Sequence, residues 1–292
     1  MRSAFSRSVS TELLHQMNPH QAHPTSPRAL VASLLAQREL IGQLVRRDVI
    51  GRYRGSLLGV AWSLFNPILM LLVYTFVFSF VFKTRWGGDV GDSHTSFAIL
   101  LFVGMIVHAL FSEVANRAPT LILTNVSYVK RVVFPLEILP WVTLGSALFH
   151  GTVSLIVLLI AQLLINHTLP WTFILFPLVL VPFLTFIIGV AWFLAATGVY
   201  VRDIAQTIGI ITMVMLFLSP VFYPLSTLPP RLQLVFYLNP LTFVIEESRK
   251  VLLFGEFPSW VGLLVYSFVS VGVAWAGFWW FQKTRRGFAD VV

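Results

Sequence analysis

Residues 138–201 read ILPWVTLGSALFHGTVSLIVLLIAQLLINHTLPWTFILFPLVLVPFLTFIIGVAWFLAATGVYV and contain no Asp, Glu, Lys or Arg. This run of 64 residues lies between Glu137 and Arg202, and a polar, proline-containing break at 166–170, NHTLP, falls near its middle. A helix needs about 20 apolar residues to cross the hydrocarbon core of a bilayer. The stretch therefore predicts two membrane-crossing helices joined by a short loop.

The composition of the chain indicates a membrane protein. Its 292 residues are 57% hydrophobic and 11% charged, with a mean hydropathy of +0.83, whereas a soluble domain carries about 25% charged residues. The sequence contains no cysteine, which excludes disulfides and thiolate metal sites, and we expect no metal and no cofactor in this chain. The net charge of +8 fits basic cytoplasmic loops better than nucleic-acid binding.

Windows without charged residues locate six crossings, at 55–82, 93–112, 138–201 (two crossings), 204–230 and 257–282. The window 232–245 is too short to cross and is expected to lie re-entrant or flat at a membrane surface. Around it, prolines limit the connection at 223–257 to two short helices, near 230–238 and near 241–253. The predicted fold class is an all-α membrane protein with six transmembrane helices and short re-entrant helices between the fifth and sixth.

The positive charges predict the orientation. Six crossings place both termini on one side, and that side holds 15 of the 20 Lys and Arg residues. Because Lys and Arg concentrate in cytoplasmic loops, both termini are predicted to be cytoplasmic. Residues 1–29 are polar and contain no apolar core of a signal peptide, so we expect the first crossing to direct its own insertion.

A predicted amphipathic helix precedes the first crossing. On a helical wheel one side carries Glu39, Gln43, Arg46 and Arg47, and the other carries Leu30, Leu34, Ile41, Leu44 and Val45. Such a helix lies in the membrane interface or packs on a soluble partner subunit, and the first interpretation is preferred. The predicted organisation is thus a polar extension at 1–29, an interfacial helix at 30–54, a six-span domain at 55–286 and a cytoplasmic tail at 287–292.

Four arginines crowd the predicted cytoplasmic mouth of the first crossing, namely Arg46, Arg47, Arg52 and Arg54. Arginines are common at such positions because they set topology. The alternative is a landing site for a phosphate-bearing substrate, because a guanidinium group pairs with phosphate through two parallel hydrogen bonds.

Four segments carry a resemblance to a known family. They read LIGQLVRRDVIGRYRGSLLGVAW at 40–62, NVSYVKRVVFPLEILP at 125–140, GVYVRDI at 198–204 and SPVFYPLSTLPPRLQLVFYLNPLTFVIEESRKVLL at 219–253. In this order, with six crossings, they resemble the ABC-2 type permease subunits of bacterial polysaccharide exporters, which carry O-antigen, capsule or teichoic-acid chains. The resemblance covers about residues 38–286.

This resemblance implies a transport subunit rather than an enzyme. Two copies form a homodimer in the bacterial cytoplasmic membrane, pair with two copies of a separate ATPase, and move a glycan linked to polyprenyl pyrophosphate through a channel at the dimer interface. ATP and Mg²⁺ are then expected on the ATPase, and this chain contains no G-x-x-x-x-G-K-[ST] phosphate loop. Two alternatives stay open: an ABC-2 permease for a drug, lipid or peptide, and a membrane glycosyltransferase, although the sequence has no D-x-D motif.

The resemblance also implies a coupling helix that docks on the ATPase, at about 117–134. The implied coupling residues are Arg117, Leu121, Ile122, Val126, Tyr128, Val129, Lys130 and Arg131, with a second, weaker contact at Arg202 and Asp203. The alternative interpretations are a plain basic surface helix and a solvated hairpin.

Aromatic side chains are the predicted lining of the glycan channel, because the C–H face of a sugar ring packs on a π surface. The candidates are Tyr74, Phe76, Phe78 and Phe82 in the first crossing and Phe217, Phe222 and Tyr223 at the end of the fifth. Phe76, Phe78 and Phe82 cannot share one helical face, so only some of them can line a channel. Contact with lipid is the alternative for each ring.

Two further sets of polar residues receive predictions. Glu246, Arg249 and Lys250 have ion-pair spacing, and the resemblance places short gate helices there, over the channel exit. His108 and His150 lie within crossings and lack a neighbouring ligand set for a metal, so we expect them to form hydrogen bonds between helices.

Overall fold

The computed structural model describes residues 34–77, 94–129 and 134–291, and the regular elements in these ranges are helical. The α-helices, numbered in chain order, are α1 Arg38–Arg52, α2 Trp62–Thr75, α3 His94–Arg117, α4 Val126–Val129, α5 Leu139–Asn166, α6 Phe176–Tyr200, α7 Ile204–Phe217, α8 Pro230–Tyr237, α9 Pro240–Arg249, α10 Trp260–Thr284 and α11 Phe288–Val291. The expectations for residues 1–33, Phe78, Phe82, Lys130 and Arg131 lie outside the described residues.

Four apolar segments within the described ranges are long enough to cross a membrane: Phe97–Thr120, Leu136–Asn166, Trp171–Tyr200 and Trp260–Val291. The second and third confirm two apolar helices of membrane-crossing length within 138–201. Gly59–Thr75 and Ile204–Phe217 are apolar but shorter. At 1.5 Å per residue, a 14-residue helix such as α7 is about 21 Å long, less than the hydrocarbon core of about 30 Å. The count of six crossings therefore stays a prediction.

The polar break inside the charge-free run folds as a tight turn. His167 ends α5 in the left-handed conformation, with φ of 54°, and its N–H donates to the carbonyl of Leu163 at 3.1 Å. After Pro170, a 3₁₀ turn over Trp171–Leu175 leads into α6. The predicted hairpin between the third and fourth crossings is confirmed.

The predicted fifth crossing ends well before its charge-free window does. α7 stops at Phe217, because Pro220 cannot continue the backbone hydrogen bonds of a helix. The following connection contains α8 and α9, which confirms the two short helices predicted there. α9 continues through a π-helical turn over Lys250–Phe254 and ends at Gly255, whose φ of 72° suits glycine.

The pair α6 and α10 forms the closest helix packing of the bundle. A Cβ atom added to Gly277 would lie 2.0 Å from the carbonyl oxygen of Gly189, and one added to Gly189 would lie 2.6 Å from the backbone of Ala274. Small residues let helix backbones approach closely in a membrane, where packing drives association. These glycines therefore bring α6 and α10 into backbone contact.

Polar side chains of α6 and of the turn after α10 bond to the residues that directly precede α5. Arg285 pairs with the Glu137 carboxylate and donates to the carbonyl of Phe134 at 3.1 Å. The indole of Trp192 donates to the backbone carbonyl of Glu137 at 3.0 Å. Because the charged groups of Arg285 and Glu137 are mostly shielded from solvent, this pairing holds α10 against the start of α5.

Helix α1 packs part of its apolar face on the bundle. Leu44 and Val49 are buried, and a Cβ atom on Gly145 of α5 would lie 2.6 Å from Val45 Cγ2. The apolar stripe predicted to face lipid thus contacts α5 of the same chain. The structure confirms a helix over Arg38–Arg52, whereas its location in a membrane interface stays a prediction.

Candidate functional site

An open cavity of about 980 Å³ lies between the end of α1 and the end of α3. It is lined by Arg47, Asp48, Gly51, Arg52, Ala109, Ser112, Glu113, Asn116 and Arg117. Three guanidinium groups and two carboxylates converge on this cavity. We call it the arginine cavity.

The structure brings together only two of the four arginines predicted as a phosphate site. Arg47 and Arg52 line the arginine cavity, whereas Arg46 and Arg54 are exposed and lie outside its lining. The third arginine of the cavity is Arg117, which the sequence assigned to the coupling segment.

Two ion pairs join α1 to α3 inside the arginine cavity. Arg52 Nη2 donates to Glu113 Oε1 at 2.7 Å. Arg117 Nη2 donates to Asp48 Oδ1 at 2.9 Å and to Oδ2 at 3.0 Å. Within α3, Arg117 Nη1 lies 3.8 Å from Glu113 Oε1, so the pairing along α3 is the looser one. In both of the shorter arginine–carboxylate pairs, one residue therefore belongs to α1 and the other to α3.

His150 of α5 completes this polar cluster. Its Nδ1 lies 3.2 Å from both carboxylate oxygens of Glu113, and its Nε2 lies 3.0 Å from the hydroxyl of Tyr53. Burial raises the pKa of the Tyr53 phenol, against a smaller opposing effect of Arg52, so the phenol keeps its proton near neutral pH and can donate to Nε2. His150 Nδ1 also lies 3.3 Å from Arg52 Nη1, so His150, Glu113 and Arg52 form one connected polar cluster.

The expectation that both histidines bond between helices is confirmed. His108 Nε2 of α3 lies 2.9 Å from the carbonyl oxygen of Thr212 in α7, and His150 of α5 contacts Glu113 of α3.

A second cavity, of about 390 Å³, continues from the first between α2, α3 and α5. It shares Arg52 and Glu113 with the arginine cavity, and its walls include Met70, Phe102 and Met105. We call it the apolar pocket. Tyr74, a predicted channel aromatic, also lines it. The apolar pocket also has polar lining residues, Ser63, Asn66 and Ser154. The two cavities together present a charged end that runs into a less polar end.

The other described channel candidates lie away from both cavities. Phe76 and Phe217 are 60% and 56% exposed. The rings of Phe217 and Phe222 stack with centroids 5.7 Å apart, and the Tyr223 hydroxyl donates to the carbonyl of Phe217. The three residues at 217, 222 and 223 therefore form one aromatic group at the C-terminal end of α7.

The segment predicted as a coupling helix is broken in the structure. After α3 it consists of 3₁₀ turns at Ala118–Thr120 and Leu123–Asn125 and the single turn α4. Leu121 and Ile122 are buried within the chain's own core, because Pro119 packs on Gly198 of α6 and holds the segment inward. The prediction of a continuous helix over 117–134 was therefore wrong. The partly exposed apolar residues of the described part of the segment are Leu123 and those of α4.

Tyr128 in α4 links the coupling segment to α1. Its hydroxyl accepts a hydrogen bond from Arg47 Nη2 at 2.6 Å, and the guanidinium carbon lies 5.8 Å from the ring centroid. The ring of Phe134 stacks on the ring of Tyr128, with 4.2 Å between the centroids. The second coupling candidates, Arg202 and Asp203, lie exposed in the turn between α6 and α7.

Arg249, one of the predicted gate residues, is fully buried in the structure. Its guanidinium donates to the carbonyls of Leu100, Pro220 and Val221 at 3.1, 2.6 and 3.1 Å and to Glu246 Oε1 at 3.0 Å. The predicted Glu246–Arg249 pair is confirmed. Burial lowers the pKa of Arg249 to about 10, with Glu246 opposing the shift, so the group is still charged at neutral pH.

Lys250 pairs with Glu247 rather than with the predicted Glu246. Its ammonium lies 2.8 Å from Glu247 Oε1, and this hydrogen bond raises the pKa of Lys250. The second oxygen of Glu247 accepts from the backbone N–H of Ser259 at 2.8 Å, and Ser259 caps the N-terminus of α10. Arg249 therefore ties α9 to α3 and to the end of α7, and Glu247, held by Lys250, ties α9 to the start of α10.

Sequence reasoning missed Asp48, Tyr53, Glu113 and His150 as members of the site. Asp48, Tyr53 and Glu113 received no predicted role, and His150 was predicted only to form hydrogen bonds between helices. One signal in the sequence could have identified Glu113 and His150. A polar or ionisable residue inside an apolar segment is energetically costly, so such a residue is a candidate for a functional role. The sequence could not show that α1 folds back against α3 and α5.

The four apolar segments of membrane-crossing length and the all-helical architecture of the described residues define the general class of helical, multi-pass membrane proteins. The model of the ABC-2 type transporter family matches residues 39–253. The chain is therefore a member of the ABC-2 type transporter family, as the four sequence segments predicted.

Its relatives are named as permeases of polysaccharide export. The chain is 29% identical over 265 residues to the O-antigen export system permease protein RfbA of Myxococcus xanthus, covering 90% of this chain and 99% of that protein. It is 24% identical over 230 residues to the polysialic acid transport protein KpsM of Escherichia coli, with 78% and 86% covered. It is 27% identical over 222 residues to the capsule polysaccharide export inner-membrane protein CtrC of Neisseria meningitidis, with 74% and 80% covered.

Proposed function

We propose that this chain is the membrane-spanning subunit of an ATP-driven exporter that moves a lipid-linked polysaccharide across the bacterial cytoplasmic membrane. Two copies form a homodimer and pair with two copies of a separate ATPase, which binds ATP and Mg²⁺. The arginine cavity carries the proposal, because its guanidinium groups suit the pyrophosphate of a polyprenyl-linked glycan. The names of the relatives support a polysaccharide as the cargo.

The proposed topology has six crossings with both termini in the cytoplasm. The four long apolar segments and the two shorter ones, Gly59–Thr75 and Ile204–Phe217, supply the six. The excess of Lys and Arg on the side of the termini supports the orientation. In this topology the arginine cavity opens toward the cytoplasm, where the lipid-linked glycan is made available.

Coupling to the ATPase is proposed to pass through α4 and α1. Val126, Tyr128 and Val129 offer the partly exposed apolar surface, and Tyr128 is bonded to Arg47 of the arginine cavity. A movement of α4 on the ATPase would therefore move a residue that contacts the substrate headgroup. Arg202 and Asp203 are the second proposed contact.

The glycan channel is proposed to lie at the homodimer interface, along α2 and α7. Both helices expose apolar side chains, and the exposed aromatic rings include Phe76, directly after α2, and Phe217 at the end of α7. Exposed rings suit a sugar polymer of varied hydroxyl pattern, because their apolar faces do not require fixed hydrogen bonds. Phe78 and Phe82 stay predicted members of this lining.

The proposed function is tested by ATPase stimulation. The chain is co-purified with its ATPase, reconstituted in liposomes, and supplied with lipid-linked glycan. We expect glycan to stimulate ATP hydrolysis and to appear on the far side of the membrane. Formation of glycosidic bonds without ATP would instead make the chain a glycosyltransferase, and stimulation by drugs or phospholipid alone would assign another cargo.

Replacing Arg52 with Lys is expected to raise the glycan concentration needed for half-maximal stimulation by roughly tenfold. Lys keeps the positive charge but lacks the planar fork that grips phosphate through two hydrogen bonds. Arg38→Lys is the matched control, because Arg38 is exposed at the start of α1, and we expect it to match the wild type. Equal values for Arg52→Lys and wild type would show that the fork is not used.

A further inference from the structure

We propose that Glu113 is the built-in counter-ion of the arginine cavity, and that a phosphate group of the ligand replaces it on Arg52. This inference rests on the proposed function, because it explains how the same site is controlled. The ligand class is a lipid phosphate, which could come from a polyprenyl pyrophosphate or from an ordinary anionic phospholipid. In the empty protein, Glu113 holds Arg52 and α1 in place.

The position of the Glu113 carboxylate is the first observation. Its Oε1 atom lies 2.7 Å from Arg52 Nη2 and 3.8 Å from Arg117 Nη1, so one oxygen sits between two guanidinium groups of the cavity. Arg117 Nη1 is buried and has no hydrogen-bond acceptor among the described residues. A buried donor without a partner costs free energy. A phosphate has more oxygens than a carboxylate and can reach both groups at once.

The surroundings of Glu113 show why exchange is feasible. His150 Nδ1 lies 3.2 Å from both carboxylate oxygens, on α5 rather than on α1. When Arg52 turns to a phosphate, Glu113 keeps His150 as its partner and is not left as an unpaired, half-buried charge, which would be costly. Tyr53 holds the far side of the imidazole at 3.0 Å. His150 and Tyr53 are therefore positioning residues for the carboxylate.

The place of this ion pair between the two cavities identifies the ligand class. Arg52 and Glu113 line both the arginine cavity and the apolar pocket. An anion at Arg52 thus has guanidinium groups on one side and the walls formed by Met70 and Met105 on the other. A phosphate that carries an alkyl or isoprenoid chain matches this arrangement, whereas a free phosphate leaves the apolar pocket unused.

The test measures lipid-phosphate binding to the full chain in phosphatidylcholine nanodiscs, with radiolabelled polyprenyl pyrophosphate as the probe. We expect Glu113→Gln to bind about tenfold more tightly than the wild type, because a competing negative charge close to the phosphate is removed. Glu39→Gln, an exposed carboxylate of α1, is the matched control and is expected to leave the affinity unchanged. In Arg52→Met, the additional Glu113→Gln change should give no gain.

The possible results separate this inference from the proposed function. If the wild type binds and Glu113→Gln binds equally or more weakly, Glu113 has only a structural role and the counter-ion proposal is wrong. If the wild type does not bind any lipid phosphate, the proposed phosphate site is wrong, and the counter-ion proposal that rests on it is wrong as well. A parallel binding experiment with phosphatidylglycerol identifies which lipid supplies the phosphate. If Glu113→Gln raises the affinity for phosphatidylglycerol alone, a phospholipid phosphate is the group that replaces Glu113 on Arg52. Should Glu113→Gln not fold, Glu113→Asp replaces it: its shorter side chain reaches Arg52 less well, and a gain of about two- to threefold is expected.

Discussion

Replacing Arg249 with Met is expected to destabilise the folded protein by about 3 kcal/mol or more. The change removes the donor of three backbone carbonyls, those of Leu100, Pro220 and Val221, and each buried acceptor left without a partner costs about 1–3 kcal/mol. These bonds join α9 to α3 and to the end of α7. We therefore expect a lower midpoint of thermal unfolding in detergent and a lower yield of folded protein in the membrane.

The control for this prediction is Arg231→Met, because Arg231 lies exposed at the start of α8. It removes the same charge from the same connection between α7 and α10 and is expected to shift the midpoint little. Arg249→Lys should fall between the two, since one ammonium group cannot reach acceptors placed around a planar guanidinium. If Arg249→Met and Arg231→Met unfold at the same temperature, the three carbonyls do not depend on Arg249.

The same residue shows how far sequence reasoning reaches. The spacing of Glu246 and Arg249 predicted their ion pair correctly, because neighbours three apart on a helix meet whatever the tertiary fold. The contacts with Leu100 and Pro220 could not be predicted, since these residues lie 149 and 29 positions away in the chain. The sequence therefore indicated a gate residue on a surface, whereas the structure buries it.

The crossings were predictable to the extent that hydropathy determines them. The run at 138–201 contains its own division into α5 and α6, because a polar, proline-containing turn is the cheapest break between two apolar helices. The charge-free window at 204–230 predicted too long a helix, because a helix does not continue through Pro220 even where charged residues are absent. The absence of charge over a long window is thus a reliable signal of an apolar segment and a weaker signal of helix length.

The sequence predicted the type of residue that lines the candidate site, but it identified only some of the residues themselves. Arginines near the first crossing indicated an anion site, and Arg47 and Arg52 do line the arginine cavity. The carboxylates that balance them, Asp48 and Glu113, lie on two helices 65 positions apart in the sequence. Their partnership depends on how α1 packs against α3, and no local pattern encodes that packing.

Replacing Gly277 with Ala is expected to loosen the α6–α10 pair, although alanine is the better helix former. The added Cβ atom would lie 2.0 Å from the Gly189 carbonyl oxygen, so the two backbones must move apart by about 1 Å or more. Overpacking of this kind costs about 1–3 kcal/mol. We expect a lower midpoint of thermal unfolding and weaker ATPase stimulation, because α10 also holds the start of α5 through Arg285.

Gly272→Ala supplies the matched control within the same helix. Gly272 lies on the exposed side of α10, and no atom comes within 4 Å of an added Cβ there. The substitution gains helix propensity of about 1 kcal/mol without a clash, so the midpoint should stay the same or rise. Opposite shifts for the two alanines would establish that contact with Gly189, and not the flexibility of glycine, is what position 277 requires. A fall of equal size in both would mean that α10 tolerates no side chain at either face, and that the close approach of the two backbones is not the cause.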